Sequence, residues 1–558
     1  MSFIRGRVLL AAFVITSLLA GSLSTAATVS ASEPEARLAW SSCYADFGTF
    51  ECAMLRVPLD YDRPNGSKIS VAMVRLPAAN PELRQGSIFL NPGGPGGSGV
   101  EFAVFAGPAL FTQDVRDRFD LVGFDPRGIS RSDQLRCFNS PDEWGPYFTS
   151  FTFPSTRAEL RQWIASDRFL DRACARKGGP IMNHMSTANV ARDLDRMRAA
   201  VGDEKLTYAG YSYGTQLGQT YANMFPDHFR AIVIDGVLDP IAWTTGARGE
   251  SKLPFSTRLR SDVGAMDSLN EFLRLCDAGG DACAFSGEAA ERYANLAEKL
   301  RESPLLLTDP ETGEAFEYNY SILIGDTLGA MYSSFSWPDF AGFLAFLEAA
   351  DAPDADYALS TFRNVAGLSS APFPEFPEYQ NFIEGFPGVA CSDSDNPHSY
   401  EAWWKAGIRS DEQFGYFGKI WTWASSICAH WPGSDRDRYT GPWTHSTEAP
   451  VLVVGTLHDP ATRYQGAQTA ASLLPNSTLL TVNGWAHTSL FLSACADAAI
   501  ATYLIEAKTP PPGTVCNQDL VPFVDFPVPA AAAPSARAGQ DVQVLARAQL
   551  IPEWLTGH

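Results

Sequence analysis

The sequence predicts an α/β fold in which a mostly parallel sheet is split by a large, mainly helical cap insertion. Two observations carry this reading. Short apolar runs alternate with helix-spaced stretches from about residue 52 to 239 and again from 450, and residues 241–445 interrupt that rhythm. Wholly apolar runs separated by helices are what strands covered on both faces require.

Taken in order, residues 55–59 and 69–75 read as a hairpin turned at Arg63-Pro-Asn-Gly66. Residues 87–90 form a short apolar run that ends in a glycine-rich loop, and residues 119–124 form another. Residues 187–201 carry Val190, Leu194, Met197 and Val201 on one helical face. A strand at 206–210, a helix at 215–224 and a strand at 231–235 follow. Helix-forming stretches at 266–276, 289–301 and 322–348 belong to the insertion, interrupted by a proline-rich stretch at 371–377. Strands resume at 450–455, and 477–482 reads as the last one.

A chain of 558 residues exceeds what one compact core accommodates. The expected organisation is an export signal at 1–31, the first part of the core at 32–240, the cap at 241–445, the second part of the core at 446–516, and an Ala/Pro-rich tail at 517–558. The signal reading rests on Arg5 and Arg7, an apolar run at 8–19, and small residues up to Val29-Ser-Ala31. That run is shorter than the ~20 residues a bilayer span needs, so no stable membrane span is expected after its removal. Removal would take away two arginines and no acid, changing the net charge from −21 to −23. So acidic a chain argues against nucleic-acid partners and suits cationic substrates such as peptides with a free amino terminus.

Ten cysteines fit an oxidising compartment. Sequence alone does not determine the connectivity. Chain neighbours suggest Cys43–Cys52, Cys137–Cys174, Cys276–Cys283, Cys391–Cys428 and Cys495–Cys516. No C-x-x-C pair occurs and the histidines are scattered, so neither a metal nor any other cofactor is expected.

The chemistry centres on Gly210-Tyr-Ser212-Tyr-Gly214, a G-x-S-x-G between an apolar strand and an amphipathic helix. A nucleophilic serine needs a sharp strand-to-helix turn, and small residues two positions either side let strand and helix approach. The loop Asn91-Pro-Gly-Gly-Pro-Gly-Gly-Ser-Gly99 supplies backbone N–H groups unobstructed by side chains, as an oxyanion hole requires. Its expected donors are Tyr213 and Gly94, with Gly93 as the fallback. A P-loop is not indicated, because no Lys-Ser/Thr follows.

The acid and the base should follow the serine in that order. His487, in the loop after the strand at 477–482, is the expected base, and Asp459, after the strand at 450–455, the expected acid. Asp235 is the runner-up acid. His430 and His445 read as surface or packing residues.

These residues resemble the secreted tripeptidyl aminopeptidases and their prolyl-aminopeptidase-like relatives within the α/β-hydrolase superfamily. The resemblance rests on residues 91–99, Gly123-Phe-Asp-Pro-Arg-Gly128, 210–215, 455–459 and 484–487, with the cysteine pattern. The relatives usually carry His where Asn91 stands. The resemblance implies a secreted serine exopeptidase that cleaves amide bonds near the free N-terminus of peptides through an acyl-enzyme. Such an enzyme needs carboxylates to read the substrate's ammonium group, and Asp393 and Asp395 in the cap are the expected pair. Asp125 and Arg127 are expected to support the oxyanion loop. A carboxylesterase or lipase with the same triad is the alternative, and a non-catalytic binding protein on a hydrolase scaffold the remote one.

Overall fold

A computed structural model describes residues 38–308, 315–349 and 379–525. The predicted export signal, the proline-rich stretch at 371–377 and the tail from 526 lie outside the described residues.

Twelve strands are described: β1 (Ser41–Cys43), β2 (Phe50–Pro58), β3 (Lys68–Leu76), β4 (Gly86–Asn91), β5 (Phe119–Phe124), β6 (Leu206–Tyr211), β7 (Phe229–Asp235), β8 (Leu305–Thr308), β9 (Ala315–Tyr318), β10 (Val451–Thr456), β11 (Ser477–Asn483) and β12 (Val515–Asn517). Ten of them form one sheet in the order β1-β2-β3-β5-β4-β6-β7-β10-β11-β12. From β5 to β12 every pairing is parallel, whereas β1, β2 and β3 run antiparallel at one edge. Side-chain burial follows the layering. β4, β5, β6 and β10 are buried at every position, and β2 alternates buried and exposed through Ala53–Val57.

The helices of the first core segment are α1 (Gly99–Phe105), α2 (Gln113–Arg118), α3 (Arg157–Lys177), α4 (Thr187–Ala200) and α5 (Tyr213–Met224). The cap contributes α6 (Pro240–Thr244), α7 (Phe255–Leu259), α8 (Ser261–Gly279), α9 (Ala289–Glu302), α10 (Tyr320–Met331), α11 (Trp337–Ala349), α12 (Phe382–Asp393), α13 (Tyr400–Phe414) and α14 (Gly418–Trp423), with β8 and β9 as a small hairpin. The second core segment adds α15 (Tyr464–Leu473) and α16 (Ala494–Glu506). Each face of the sheet has its own apolar cluster, and the cap has a third that is rich in aromatic residues, including Phe272, Trp337, Trp403 and Trp423.

The structure revises the sequence reading in three places. β11 is not the last strand, because Cys516 on β12 pairs beside it and is tied to α16 by Cys495–Cys516. A strand of three residues gives no readable alternation. The 21-residue α3, missed in sequence, starts with a capping box at Thr156 and Glu159. The stretch at 322–348 is two helices rather than one. Ser333 is extended, and α11 restarts with Pro338 in its first turn, where a missing N–H costs nothing. The break has a purpose in the tertiary structure: Ser333 forms a bridge with Ala486, and Ser334 N–H donates to Trp485 O at 3.2 Å. All five cysteine pairs suggested by chain proximity are disulfide-bonded. Among the described residues no helix is long and apolar enough to cross a membrane.

Candidate active site

The parallel strands deliver the sequence-predicted residues to one edge of the sheet. The loop at 91–99 follows β4, Ser212 follows β6, Asp235 ends β7, Asp459 follows β10 and His487 follows β11. All lie at or beyond the carboxyl ends of their strands, the crevice where open α/β sheets bind ligands.

Ser212 stands between β6 and α5 with φ 53° and ψ −124°, a conformation costing of order 1–3 kcal/mol for a residue with a side chain. The flanking glycines make the turn possible. A Cβ on Gly210 would lie 2.4 Å from Gly214 O, and one on Gly214 would lie 2.5 Å from Asn91 O. Strand, helix and oxyanion loop therefore pack backbone against backbone here.

The loop closes over the serine from the β4 side. Gly93 has φ +104°, and a Cβ there would sit 2.8 Å from Tyr213 N and 2.9 Å from Ser212 Cβ. Gly93 N–H is already committed to Asn91 Oδ1 at 3.0 Å. That assigns Asn91 a local role as an acceptor that shapes the loop, and it occupies the N–H of Gly93, the fallback donor. Tyr213 is the first residue of α5, so its N–H has no intrahelical partner. Asp125 braces the far end of the loop, accepting from Ser98 Oγ at 2.5 Å and Val100 N at 3.1 Å. Arg127 is fully buried against Asp193 at 2.6 Å and three backbone carbonyls, away from any reacting group.

Asp459 and His487 are joined. His487 Nδ1 lies 3.1 and 3.0 Å from the two carboxylate oxygens of Asp459, and both residues are almost fully buried. Asp459 also accepts from Ala461 N, Thr462 N, Thr462 Oγ1 and Thr488 N at 2.7–3.1 Å. An acceptor with this many donors is fixed in place, and it is Nδ1 rather than Nε2 of the imidazole that meets it. The break between α10 and α11 serves this residue, because His487 N–H donates to Tyr332 O at 2.9 Å and the Tyr332 ring stands edge-on to the imidazole.

Ser212 and His487 flank the same short segment. Ser212 N–H donates to Asp235 O at 3.0 Å, and a Cβ on the next residue, Gly236, would lie 3.3 Å from His487 Cε1. Among the described residues no hydrogen bond joins Ser212 Oγ to His487; such contacts commonly tighten only when substrate binds. Asp235, the runner-up acid, does not bond the imidazole. Its carboxylate accepts from Ser489 N and Oγ, which shapes the turn after His487.

Residues 86–258 match the family described as alpha/beta hydrolase fold, and residues 412–516 match the family described as TAP-like protein. The chain is 33% identical over 488 residues to serine protease Hip1 of Mycobacterium tuberculosis, covering 83% of this chain and 87% of that protein. The chain belongs to the TAP-like α/β-hydrolases. Other relatives are a tripeptidyl aminopeptidase of Streptomyces lividans, 28% identical over 89% of this chain and 90% of that one, and carboxylesterase B of Mycobacterium tuberculosis, 31% identical over 86% and 89%. This TAP-like hydrolase is thus a serine hydrolase.

The two cap acids singled out in sequence are both occupied within the TAP-like hydrolase. Asp393 is buried and accepts from Thr187 N, Thr187 Oγ1 and Trp243 Nε1. Asp395 is paired with Arg438 at 2.6 Å. Other buried acids have spare oxygens. Both carboxylate oxygens of Asp171 on α3 are buried without a hydrogen-bond partner, as is Oε2 of Glu384 on α12, whose Oε1 accepts from Tyr379 OH and Cys137 N. Asp167, one turn from Asp171, accepts from Ser426 Oγ at 2.7 Å. The i, i+4 spacing of Asp167 and Asp171 was the available sequence signal, and it was missed because the helix was. A Asp60–His184–Asp437 group has ligand atoms within 4.8 Å of one another, but none of the three belongs to the reacting constellation.

Burial pushes these acids up, Asp171 and Glu384 to about 7 and Asp167 to about 8. The fold thus binds their protons more tightly than the unfolded chain does. Their contribution to stability is complete below the unfolded carboxylate range, about pH 4, and is lost as pH rises through 7–8. The melting temperature should therefore fall from about pH 4 to pH 8, and Asp171→Asn should raise it at both pH 5 and pH 8, by clearly more at pH 8, where the loss is complete. Thermal unfolding at the two pH values checks this, and an equal shift at both would refute the titration account.

Proposed function

We propose that the protein is an exported serine exopeptidase of the tripeptidyl-aminopeptidase type. Ser212 is the nucleophile, His487 the base, Asp459 the orienting acid, and the N–H groups of Gly94 and Tyr213 the oxyanion hole. The observation that carries the reading is the buried Asp459–His487 pair set beside a serine on a strained strand-to-helix turn. Ser212 Oγ attacks the scissile carbonyl as its proton passes to His487 Nε2. Negative charge developing on the carbonyl oxygen meets the two N–H groups. His487 returns the proton to the leaving amine, and water then clears the acyl-enzyme by the same route.

Similarity to a serine protease and a tripeptidyl aminopeptidase supports a peptide substrate. Because Asp393 and Asp395 are occupied, the ammonium-reading role moves to Glu384 and Asp171, whose buried oxygens without a hydrogen-bond partner can accept from a peptide's N-terminal ammonium. Gly385, next to Glu384, packs against Gly96 of the oxyanion loop, where a Cβ would lie 3.3 Å from its carbonyl carbon. Export is supported by five disulfides.

The test compares a chromogenic tripeptide amide having a free amino terminus with its N-acetylated form. Turnover of the free form and none of the blocked form is expected. Equal cleavage of both would refute the exopeptidase reading. Hydrolysis of short acyl esters without amide cleavage would favour a carboxylesterase, the reading supported by the 31% identical relative of that name.

A further inference from the structure

Asp393 was expected to meet substrate, and its contacts give it another task. It is the last residue of α12, is 2% exposed, and makes three bonds: Thr187 N at 2.9 Å, Thr187 Oγ1 at 2.5 Å and Trp243 Nε1 at 3.1 Å. Thr187 is the first residue of α4, so the carboxylate satisfies an N–H with no partner in its own helix. Thr187 Oγ1 also lies 2.5 Å from Tyr213 OH. A hydroxyl has one proton and an ionised carboxylate only accepts. The Thr187 proton therefore points to Asp393, and Tyr213 O–H donates to Thr187.

Tyr213 is the residue whose N–H faces Gly93 across the turn. Its side chain is held at both ends, by the hydroxyl bond to Thr187 and by its ring packing on Trp243 at 5.4 Å. Both holding groups are bonded to Asp393. The same helix reaches the other half of the site, because a Cβ on Gly96 of the oxyanion loop would lie 3.1 Å from Phe386 N. One cap helix thus packs against the oxyanion loop at Gly96 and holds Tyr213 through Thr187 and Trp243.

We infer that Asp393 is a positioning residue for the oxyanion hole, fixing Tyr213 through Thr187 and Trp243 so that the aim of the Tyr213 N–H depends on the seating of α12. The inference rests on the reading in which Ser212 is the nucleophile. A helix that is not seated leaves the hole misaimed, and a misplacement near 1 Å can cost about a hundredfold in rate.

Asp393→Ala could fail to fold, so the test removes single hydroxyls from the chain instead. Tyr213→Phe and Thr187→Val keep shape and burial. Each is expected to lower kcat about tenfold or more with KM within about twofold, and to weaken a peptide-aldehyde transition-state analogue by the same factor as kcat/KM. The double variant should be no slower than the slower single one, since both cut one chain. Thr187→Ser, which keeps the hydroxyl, should restore most of the rate. Wild-type kcat in either single variant would overturn the inference, as would a loss confined to melting temperature or one that multiplies in the double variant. Labelling of the wild-type enzyme by a fluorophosphonate, absent in Ser212→Ala, reports separately on the nucleophile, so failure of that reading is told apart from failure of this one.

Discussion

Replacing Ser212 with Ala is expected to lower kcat by about a millionfold, the scale seen when the nucleophile of a serine hydrolase is deleted. The substitution removes the side-chain oxygen of Ser212, and the turn itself stays. Gly210 and Gly214 still allow the close approach of strand, helix and loop, and Ser212 N–H still donates to Asp235 O. KM and melting temperature should therefore change little. Residual rate should persist above the uncatalysed reaction, because the N–H groups of Gly94 and Tyr213 remain. Steady-state kinetics and fluorophosphonate labelling check this together, and activity within a few-fold of the parent would end the assignment.

The second large effect is expected for Asp459→Asn, about ten-thousandfold in kcat. Its five donors account for the size. Oδ1 accepts from Ala461 N and Thr462 N, Oδ2 accepts from Thr462 Oγ1 and Thr488 N, and both oxygens face His487 Nδ1. Either orientation of an amide sets an NH2 against at least one backbone N–H. The imidazole also loses the acceptor that keeps its proton on Nδ1, so Nε2 is no longer reliably the base. Asp235→Asn provides the contrast. Asp235 bonds Ser489 and not the imidazole, and its loss should cost far less. A larger loss for Asp235→Asn than for Asp459→Asn would exchange the two roles.

Much of the constellation could be read from the chain because strand ends are local features. Apolar runs at 87–90, 206–210, 450–455 and 477–482 announce buried strands, and the residues after them are set at the sheet edge by geometry. The disulfides were legible for a similar reason, since each joins cysteines close in sequence, from 7 to 37 residues apart. Elements whose reason for existing is tertiary were not legible. The extended Ser333 between α10 and α11 exists because residues 332–334 pair with the loop that holds His487. β12 is a strand because β11 offers it an edge.

The acids considered for the ammonium group show the same division. By composition, Asp393 and Asp395 are two carboxylates beside a cysteine and nothing distinguishes them from Asp171 or Glu384. Only packing decides which of the four is saturated by Thr187 and Trp243, which meets Arg438, and which are left with unpaired oxygens. The chain by itself determined the fold class and the three residues placed after strands, because strand periodicity and glycine spacing act over a few residues. The tertiary structure alone decided which of those acids keep unpaired oxygens and what holds Tyr213. Those outcomes depend on hydrogen bonds between segments as far as 206 residues apart, which no local pattern records.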